Sequence, residues 1–222
     1  MLEISENFDF SISRLYAEKL ERKYPFLQCT VIGRSESGHG IFAFSLGKNE
    51  NRALILSGEP SCACAALYRF IDKICESVLL SRELSGIDYS LLIKKFGLTV
   101  IPCLHPDSES RFGAPYEKSE ERALISYCRR HGFRSCLEIK SGETDRILFR
   151  ADVTPKQSPM MAKILASASP CPLSEERVKE GISSWFCGEF SRPSFILEEN
   201  EDKNPEAFYL KAEEALVLFT VM

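Results

Sequence analysis

The stretch ALILSGEPSCACAAL, residues 53–67, contains the strongest indication of the fold. It opens with four apolar residues, turns at Ser57 and Gly58, and leads into residues 65–80, which have the apolar spacing of a helix. A short apolar run bounded by a turn is typical of a central strand that is covered on both faces. The stretch therefore predicts a strand–loop–helix unit in the middle of an α/β sheet.

The rest of the chain alternates in the same way. Helices are predicted at 11–24, 65–80, 119–130, 159–168, 175–186 and 206–219, and strands at 27–32, 40–46, 53–56, 98–103, 135–139, 146–149 and 194–197. This alternation predicts a single α/β domain over residues 1–222, with a mixed, largely parallel twisted sheet and helices on both faces. Ligands of such sheets bind beyond the carboxyl ends of the strands. The loops at 58–64, 104–112, 140–144 and 198–204 are therefore the first candidates for a site.

Composition narrows the class of partner. The formal net charge is −4, and no long block of Lys and Arg forms a basic face for nucleic acid. No window reaches the roughly 20 apolar residues that a membrane helix requires, and the opening MLEISENFDF lacks the pattern of a secretory signal. The nine cysteines are scattered through mostly apolar contexts, as expected for small core residues in a reducing compartment. We therefore expect a cytoplasmic protein that binds neither nucleic acid nor membrane.

Four segments, in order along nearly the whole chain, together resemble the zinc carboxypeptidase family, especially its short bacterial members that act on peptidoglycan peptides. Residues 53–67 are similar to the family's apolar strand, its Gly and the following His-x-x-Glu, and VIPCLHPD at 100–107 is similar to a strand followed by Asn-Pro-Asp-Gly. LEIKSGE at 137–143 resembles the strand that carries the third zinc ligand, His-Ser-x-Gly-Glu. WFCGEFSRPSFILE at 185–198 resembles the Trp-containing helix and the final strand, which ends in the catalytic Glu.

The departures from the family pattern decide what the resemblance implies. Carried over position by position, the three zinc ligands fall at Pro60, Ala63 and Lys140. Two His and a carboxylate normally hold such a zinc, whereas Pro and Ala have no donor atom and a protonated Lys repels a cation. The resemblance therefore implies a carboxypeptidase-like fold with no zinc cofactor, and so no zinc-activated water. The family's stretch with an Asn-Arg pair that grips the substrate carboxylate is shortened here, and Arg111 at the join is either a cleft residue or a solvated loop arginine.

Glu198 matches the family's general base. Without a metal-bound water to activate, it is interpreted as a retained pocket carboxylate, which needs a cationic partner when partly buried. We expect the Lys140 ammonium to fill the place of the zinc charge and to pair with Glu198 or with Glu59. Glu143, in the loop after Lys140, is a further candidate cleft residue.

Other combinations remain open at this stage. Glu59 and Cys62 have the i, i+3 spacing of metal ligands and, with His105, could form a remodelled site that Cys64 and Cys103 approach, or these could be small core and pocket residues. His39 and His131 are expected at the surface. The acidic run at 198–202 is either a calcium-attracting loop or a solvated one.

Two main functions follow from these alternatives. The first is a degenerate carboxypeptidase-like protein without metallopeptidase activity, which binds a peptide or a cell-wall fragment in the old active-site cleft. The second is a functional metallocarboxypeptidase, a peptide or amide hydrolase, with a remodelled metal site. A scaffold whose function lies on another surface is a third.

Overall fold

An eight-stranded sheet lies between two layers of helices. The computed structural model describes residues 9–48, 50–107, 118–149, 155–177, 181–200 and 204–222. The helices are α1 (Phe10–Lys23), α2 (Cys62–Leu80), α3 (Tyr89–Leu92), α4 (Ser119–His131), α5 (Ser158–Ser167), α6 (Ile182–Phe190) and α7 (Pro205–Val221). The strands are β1 (Gln28–Arg34), β2 (Gly40–Gly47), β3 (Arg52–Ser57), β4 (Glu83–Leu84), β5 (Ile87–Asp88), β6 (Gly97–Ile101), β7 (Phe133–Gly142), β8 (Arg146–Phe149), β9 (Leu173–Arg177) and β10 (Ser194–Asn200).

The strand order is β1-β2-β6-β3-β7-β10-β8-β9, and β4 and β5 form a separate hairpin. The central strands β6, β3, β7 and β10 are parallel to one another. Strands β1 and β2 run antiparallel to their neighbours, and β8 is antiparallel to β10 but parallel to β9. All six residues of β3 are buried, because helices cover both faces of the sheet there. The predicted α/β class with a mixed, largely parallel sheet is confirmed.

Each face of the sheet has its own apolar core. On one face α1, α2, α5 and α7 pack around a large cluster that includes Leu67, Phe70 and Phe195. On the other face α4 and α6 cover a smaller cluster that includes Leu56, Leu124 and Phe186. The carboxyl ends of the four central strands lie at one edge between these two layers, which is where a ligand site of an open α/β sheet forms.

Three local predictions need correction. Residues 173–177 form β9 and not the start of a helix, since pairing with β8 at the sheet edge overrides the helix propensity of a Glu-rich segment. β7 continues through Gly142, so the turn predicted at 141–143 begins one or two residues later. The short elements β4, β5 and α3 were not predicted, because two to four residues are too few to show a periodicity. No helix of the described residues is long and apolar enough to cross a membrane.

Candidate ligand-binding cleft

A row of charged side chains marks the carboxyl edge of the central strands. Glu198 of β10 is in register with Lys140 of β7 on one side and with Arg146 of β8 on the other. Residues in register on neighbouring strands point to the same face of a sheet, and so do residues two apart on one strand. Lys140, Glu198, Arg146 and Glu138 therefore all point to the face that carries α4 and α6. We refer to the space above them as the cleft.

The four side chains form two ion pairs. Lys140 Nζ lies 3.0 Å from Glu138 Oε1, and Arg146 Nη2 lies 3.2 Å from Glu198 Oε2. The Glu138 carboxylate is 3% exposed, whereas the Lys140 side chain is 41% exposed and reaches out from it. The predicted pairing of Lys140 with Glu198 or Glu59 is therefore wrong in its partner. An unpaired charge costs more at the buried Glu138 than at Glu198, so Lys140 pairs with Glu138. Glu198 pairs instead with Arg146 of β8.

His105 is the most deeply buried polar side chain brought to this edge from β6. Its backbone N–H donates to the Gly58 carbonyl at 2.9 Å, which fixes it beside the end of β3. The residue is 2% exposed, and neither ring nitrogen has a hydrogen-bond partner among the described residues. Burial lowers the pKa of His105 to about 4; Glu120 opposes this shift, and Lys118 and Lys140 add to it. The imidazole is therefore neutral near pH 7, with one donor and one acceptor available.

Sequence reasoning missed two contributors to the cleft. Glu138 was treated as part of a strand motif, although its position two residues before Lys140 on one strand was a usable signal. Glu120, in the first turn of α4, is 2% exposed and accepts a hydrogen bond from Ser119 Oγ at 2.8 Å. A Glu at a helix start is so common that its presence carries no signal for a site.

A glycine brings the end of β7 against Glu198. A Cβ atom built on Gly142 would lie 2.3 Å from Glu198 Oε1 and 2.6 Å from its Cδ. No real Cβ contact is that short, so the Glu198 carboxylate occupies space that any other residue at 142 would need. Gly142 therefore leaves the space that the Glu198 carboxylate fills when it pairs with Arg146.

The loop between β1 and β2 is tied to Asp107, the residue that follows His105 and Pro106. The Asp107 carboxylate accepts hydrogen bonds from Ser35 Oγ at 2.7 Å and from the Ser37 backbone N–H at 3.0 Å, and its Oδ1 lies 2.7 Å from His39 Nδ1. Burial alone would raise the pKa of Asp107, but these hydrogen bonds outweigh it and lower the pKa. His39 is 39% exposed and acts as a loop anchor, which refines its predicted surface role.

The remaining predicted residues are divided between the surface and the apolar core. Glu59 and Glu143 are exposed. Cys62, Cys64 and Cys103 belong to the apolar core on the α2 face, as does Ala63. Arg111 lies outside the described residues.

The donors needed for a metal do not come together. Within the described ranges, no three His, Cys, Asp or Glu side chains are grouped so that they could hold a metal ion, and the set Glu59, Cys62 and His105 is not such a group. At the positions where the resemblance puts the zinc ligands stand Pro60, a fully buried Ala63, and Lys140 engaged with a carboxylate. These side chains do not fit zinc, because none of them offers a lone pair in this arrangement.

The acidic run at 198–202 is not a loop in its first part. Glu198 and Glu199 belong to β10 and point to opposite faces, and residues 201–203 lie outside the described residues. Glu199 is fully buried, and neither carboxylate oxygen has a hydrogen-bond partner among the described residues. Burial raises the pKa of Glu199 to about 8, and Asp145 adds to this, whereas Lys211 opposes it. A buried, largely protonated carboxyl of this kind does not serve as a calcium ligand in a solvated loop.

Known structures share this architecture. The chain superposes on bovine thrombin-activatable fibrinolysis inhibitor, solved with a tick carboxypeptidase inhibitor, with a TM-score of 0.76 and 13% identity over 97% of each chain. A metallo-carboxypeptidase from Burkholderia cenocepacia matches with a TM-score of 0.74 and 15% identity over 95% of this chain and 67% of the other. The carboxypeptidase A from Helicoverpa armigera matches with a TM-score of 0.74 and 12% identity over 97% and 73%. The chain has the carboxypeptidase fold.

Neither a family model nor a curated protein sequence matches the chain. The likeness therefore rests on the arrangement of the carboxypeptidase fold and on the motif positions within it. In this version of the fold, two ion pairs and a neutral His105 line the carboxyl edge of the sheet. These side chains can bind polar groups.

Proposed function

We propose that this chain is a binding protein built on the carboxypeptidase fold, which holds a peptide or a cell-wall fragment in the cleft and does not hydrolyse it with zinc. The observation that carries the proposal is the 3.0 Å ion pair between Lys140 and Glu138. Lys140 stands where the resemblance puts a histidine ligand, and an ammonium group there repels a metal cation. Pro60 and Ala63 offer no donor atom to replace the other two ligands.

Lys140 is also suited to hold a ligand. An ammonium group has three N–H donors, and Glu138 is the partner of Lys140 among the described residues. The Lys140 side chain is 41% exposed, so a carboxylate entering the cleft can reach Nζ without first breaking the pair with Glu138. A charge-assisted hydrogen bond of this kind favours a peptide with a free terminal carboxylate.

The neutral His105 supplies the second kind of contact. Its unpartnered ring nitrogens can donate one hydrogen bond and accept another, which matches the N–H and C=O of an amide group. Buried polar groups without partners are uncommon in proteins, and a ligand amide would satisfy one of the two nitrogens. Together, Lys140 and His105 fit a short peptide chain that ends in a carboxylate.

Calorimetric titration with synthetic peptides tests the proposal. The probes are a cell-wall stem peptide and a linear L-peptide, each with a free carboxylate and as the C-terminal amide. We expect binding of a free-acid form, at least tenfold weaker binding of the amide, and similar weakening in Lys140→Met. Lys140→Arg keeps the charge and should retain binding. Arg14→Met, which removes a charge from an exposed pair on α1, is the matched control.

A parallel measurement of metal content and peptide hydrolysis separates the two functions. We expect no stoichiometric zinc in the tag-free protein and no increase in hydrolysis when zinc is added. One tightly bound zinc per chain together with zinc-dependent cleavage would overturn the proposal and favour a remodelled metallopeptidase site. The absence of peptide binding at millimolar concentration would overturn it in favour of a scaffold.

A further inference from the structure

The two oxygens of the Glu138 carboxylate have different surroundings. Oε1 lies 3.0 Å from Lys140 Nζ, whereas Oε2 is buried and has no hydrogen-bond partner within the described part of the chain. A carboxylate that is paired with an ammonium group is ionised and has only acceptor sites, so Oε2 needs a donor. Leaving a buried acceptor without a donor costs free energy, and such atoms are uncommon in folded proteins. A ligand that brings a donor to Oε2 would therefore gain binding energy there.

The sheet positions around Glu138 do not provide this donor. Leu56 of β3 and Ile196 of β10 are in register with Glu138, so their apolar side chains point to the same face. Cys136, which precedes Glu138 on this face of β7, has only a weak S–H donor. Lys140 is the strong donor that these neighbouring positions supply, and it lies at Oε1.

Stability does not explain why a carboxylate stands at position 138. Replacing a buried ion pair by apolar side chains of similar volume is often neutral or stabilising. The ordinary role of Glu138 would be to orient the Lys140 ammonium, which a single hydrogen bond from Nζ to Oε1 achieves. This role leaves the buried Oε2 without a purpose. Glu138 is therefore a candidate for direct contact with a ligand.

The charges of the cleft restrict what a bound anion must carry. Lys140 compensates Glu138, and Arg146 compensates Glu198. A carboxylate that accepts a hydrogen bond from Lys140 therefore brings an uncompensated negative charge close to Glu138. An N–H group of the same ligand that points to Oε2 offsets this repulsion, because its positive end faces the Glu138 carboxylate. A simple carboxylic acid lacks such a group.

The end of a peptide carries both groups at the required spacing. The last amide nitrogen and the terminal carboxylate are bonded to the same α-carbon. Oε2 shares a carbon atom with Oε1, so it lies beside the Lys140 ammonium. The terminal carboxylate can therefore accept from Nζ while the adjacent N–H donates to Oε2. A free α-ammonium matches less well, because it brings three N–H donors to one acceptor and is costly to desolvate.

We propose that Glu138 selects ligands in which a secondary amide precedes the terminal carboxylate, with the amide N–H donating to Oε2. The ligand class is then an N-acylated α-amino acid, as at the end of a peptide. Esters, simple carboxylic acids and peptides that end in proline bind weakly, because they have no N–H at this position. The inference rests on the proposed function, since Lys140 holds the carboxylate.

Titration calorimetry with two probes that differ at one position tests this selection. The probes are N-acetyl-alanyl-alanine and the depsipeptide in which lactate replaces the last alanine, each in the L and in the D series. The ester oxygen of the depsipeptide replaces the N–H with little change of shape. In the series that binds, we expect the amide to bind about tenfold or more tightly than the ester, because the ester leaves Oε2 without a donor.

A substitution assigns the selection to Glu138. Glu138→Gln should reduce the difference between amide and ester to about threefold or less, because a carboxamide can accept from the amide or donate to the ester. Glu18→Gln, the same change in an exposed ion pair on α1, should keep the full difference. Thermal melting verifies that each variant is folded. A residue that only orients Lys140 would change both affinities by the same factor.

The remaining outcomes distinguish this inference from the proposed function. Equal affinity of the wild type for amide and ester would overturn the role of Glu138 and leave the binding of terminal carboxylates in place. A difference that persists in Glu138→Gln would assign the selection to another residue. Tighter binding of free alanine than of the N-acetyl probe would mean that the ion pair takes a zwitterion. No binding of either probe at millimolar concentration would overturn both proposals.

Discussion

Lys140 and Glu198 lie in register on adjacent parallel strands, yet each forms its ion pair with a different residue, Lys140 with Glu138 and Glu198 with Arg146. The cleft thus contains two separate ion pairs, each made of one cation and one carboxylate. Glu138 is the more deeply buried carboxylate, and Lys140 remains paired with it when a ligand carboxylate accepts another of the Nζ donors. The stability of this edge of the sheet and its capacity to bind a ligand therefore both depend on Lys140.

Lys140→Met should lower the free energy of unfolding by about 2 kcal/mol at neutral pH, because it leaves the Glu138 carboxylate buried without its cation. Urea denaturation measures this change. The double variant Glu138→Gln/Lys140→Met should recover most of the loss, since a neutral amide costs less to bury than an unpaired charge. Arg14→Met should change stability by no more than about 0.5 kcal/mol, because its pair with Glu18 is exposed. Strict additivity of the two cleft substitutions would contradict a direct interaction.

The pKa of His105 predicts a loss of stability in mild acid. Its folded-state pKa is lowered from 6.5 to about 4, so the unfolded chain binds a proton between these pH values and the folded protein does not. Stability is therefore present above pH 6.5 and falls as the pH drops towards 4, by on the order of 3 kcal/mol in total. His105→Gln should remove most of this slope between pH 4 and pH 6.5. An unchanged slope would assign it to other groups.

The raised pKa of Glu199 predicts that stability falls, rather than rises, as the pH increases towards 8. Its folded-state pKa is raised from 4.5 to about 8, so between these values the folded protein retains a proton that the unfolded chain has lost. The stability is present below pH 4.5 and is lost as the pH rises through 8, by on the order of 4 kcal/mol. Glu199→Gln should be more stable than the wild type at pH 8 and similar to it at pH 4.5. Denaturation at the two pH values gives the comparison, and equal effects at both would contradict a buried protonated carboxyl.

Restoring the three donor residues tests the register of the resemblance. The triple variant Pro60→His/Ala63→Glu/Lys140→His should bind about one zinc per chain, because two imidazoles and a carboxylate are the ligand set of such sites. The matched control Pro60→His/Ala63→Glu, which keeps the Lys140 ammonium, should bind zinc far more weakly. Zinc titration of the folded variants measures both. Failure of a folded triple variant to bind zinc would mean that these three positions do not converge.

The central part of the fold was predictable because each of its segments has the apolar pattern of a single environment, either a fully buried strand or a helix with one buried face. The apolar run 53–56 lies inside β3, and the spacing of 65–80 and 119–130 gives most of α2 and α4. Segment 173–177 was misassigned because edge pairing with β8, a long-range contact, decides its state.

The site was less predictable than the fold. The motif positions predict that Lys140 and Glu198 lie at the carboxyl edge of the central strands, and the structure places both of them there. The partner of Lys140 among Glu59, Glu138 and Glu198 depends on the relative burial of the carboxylates and on Arg146 of β8, which lies next to Glu198 in the sheet. Neither quantity can be read from residue types along one chain.

The residues that position 142 tolerates depend on whether the cleft is in use. The atoms that a Cβ at 142 would meet belong to the flexible side chain of Glu198 and not to the backbone, so the fold can accommodate alanine there by moving Glu198. That movement would separate Glu198 from Arg146 while every charge remains. Selection for folding alone should therefore accept alanine at 142, whereas selection for an intact cleft should retain only glycine. The tolerance of this one position distinguishes a cleft that is in use from one that is merely inherited.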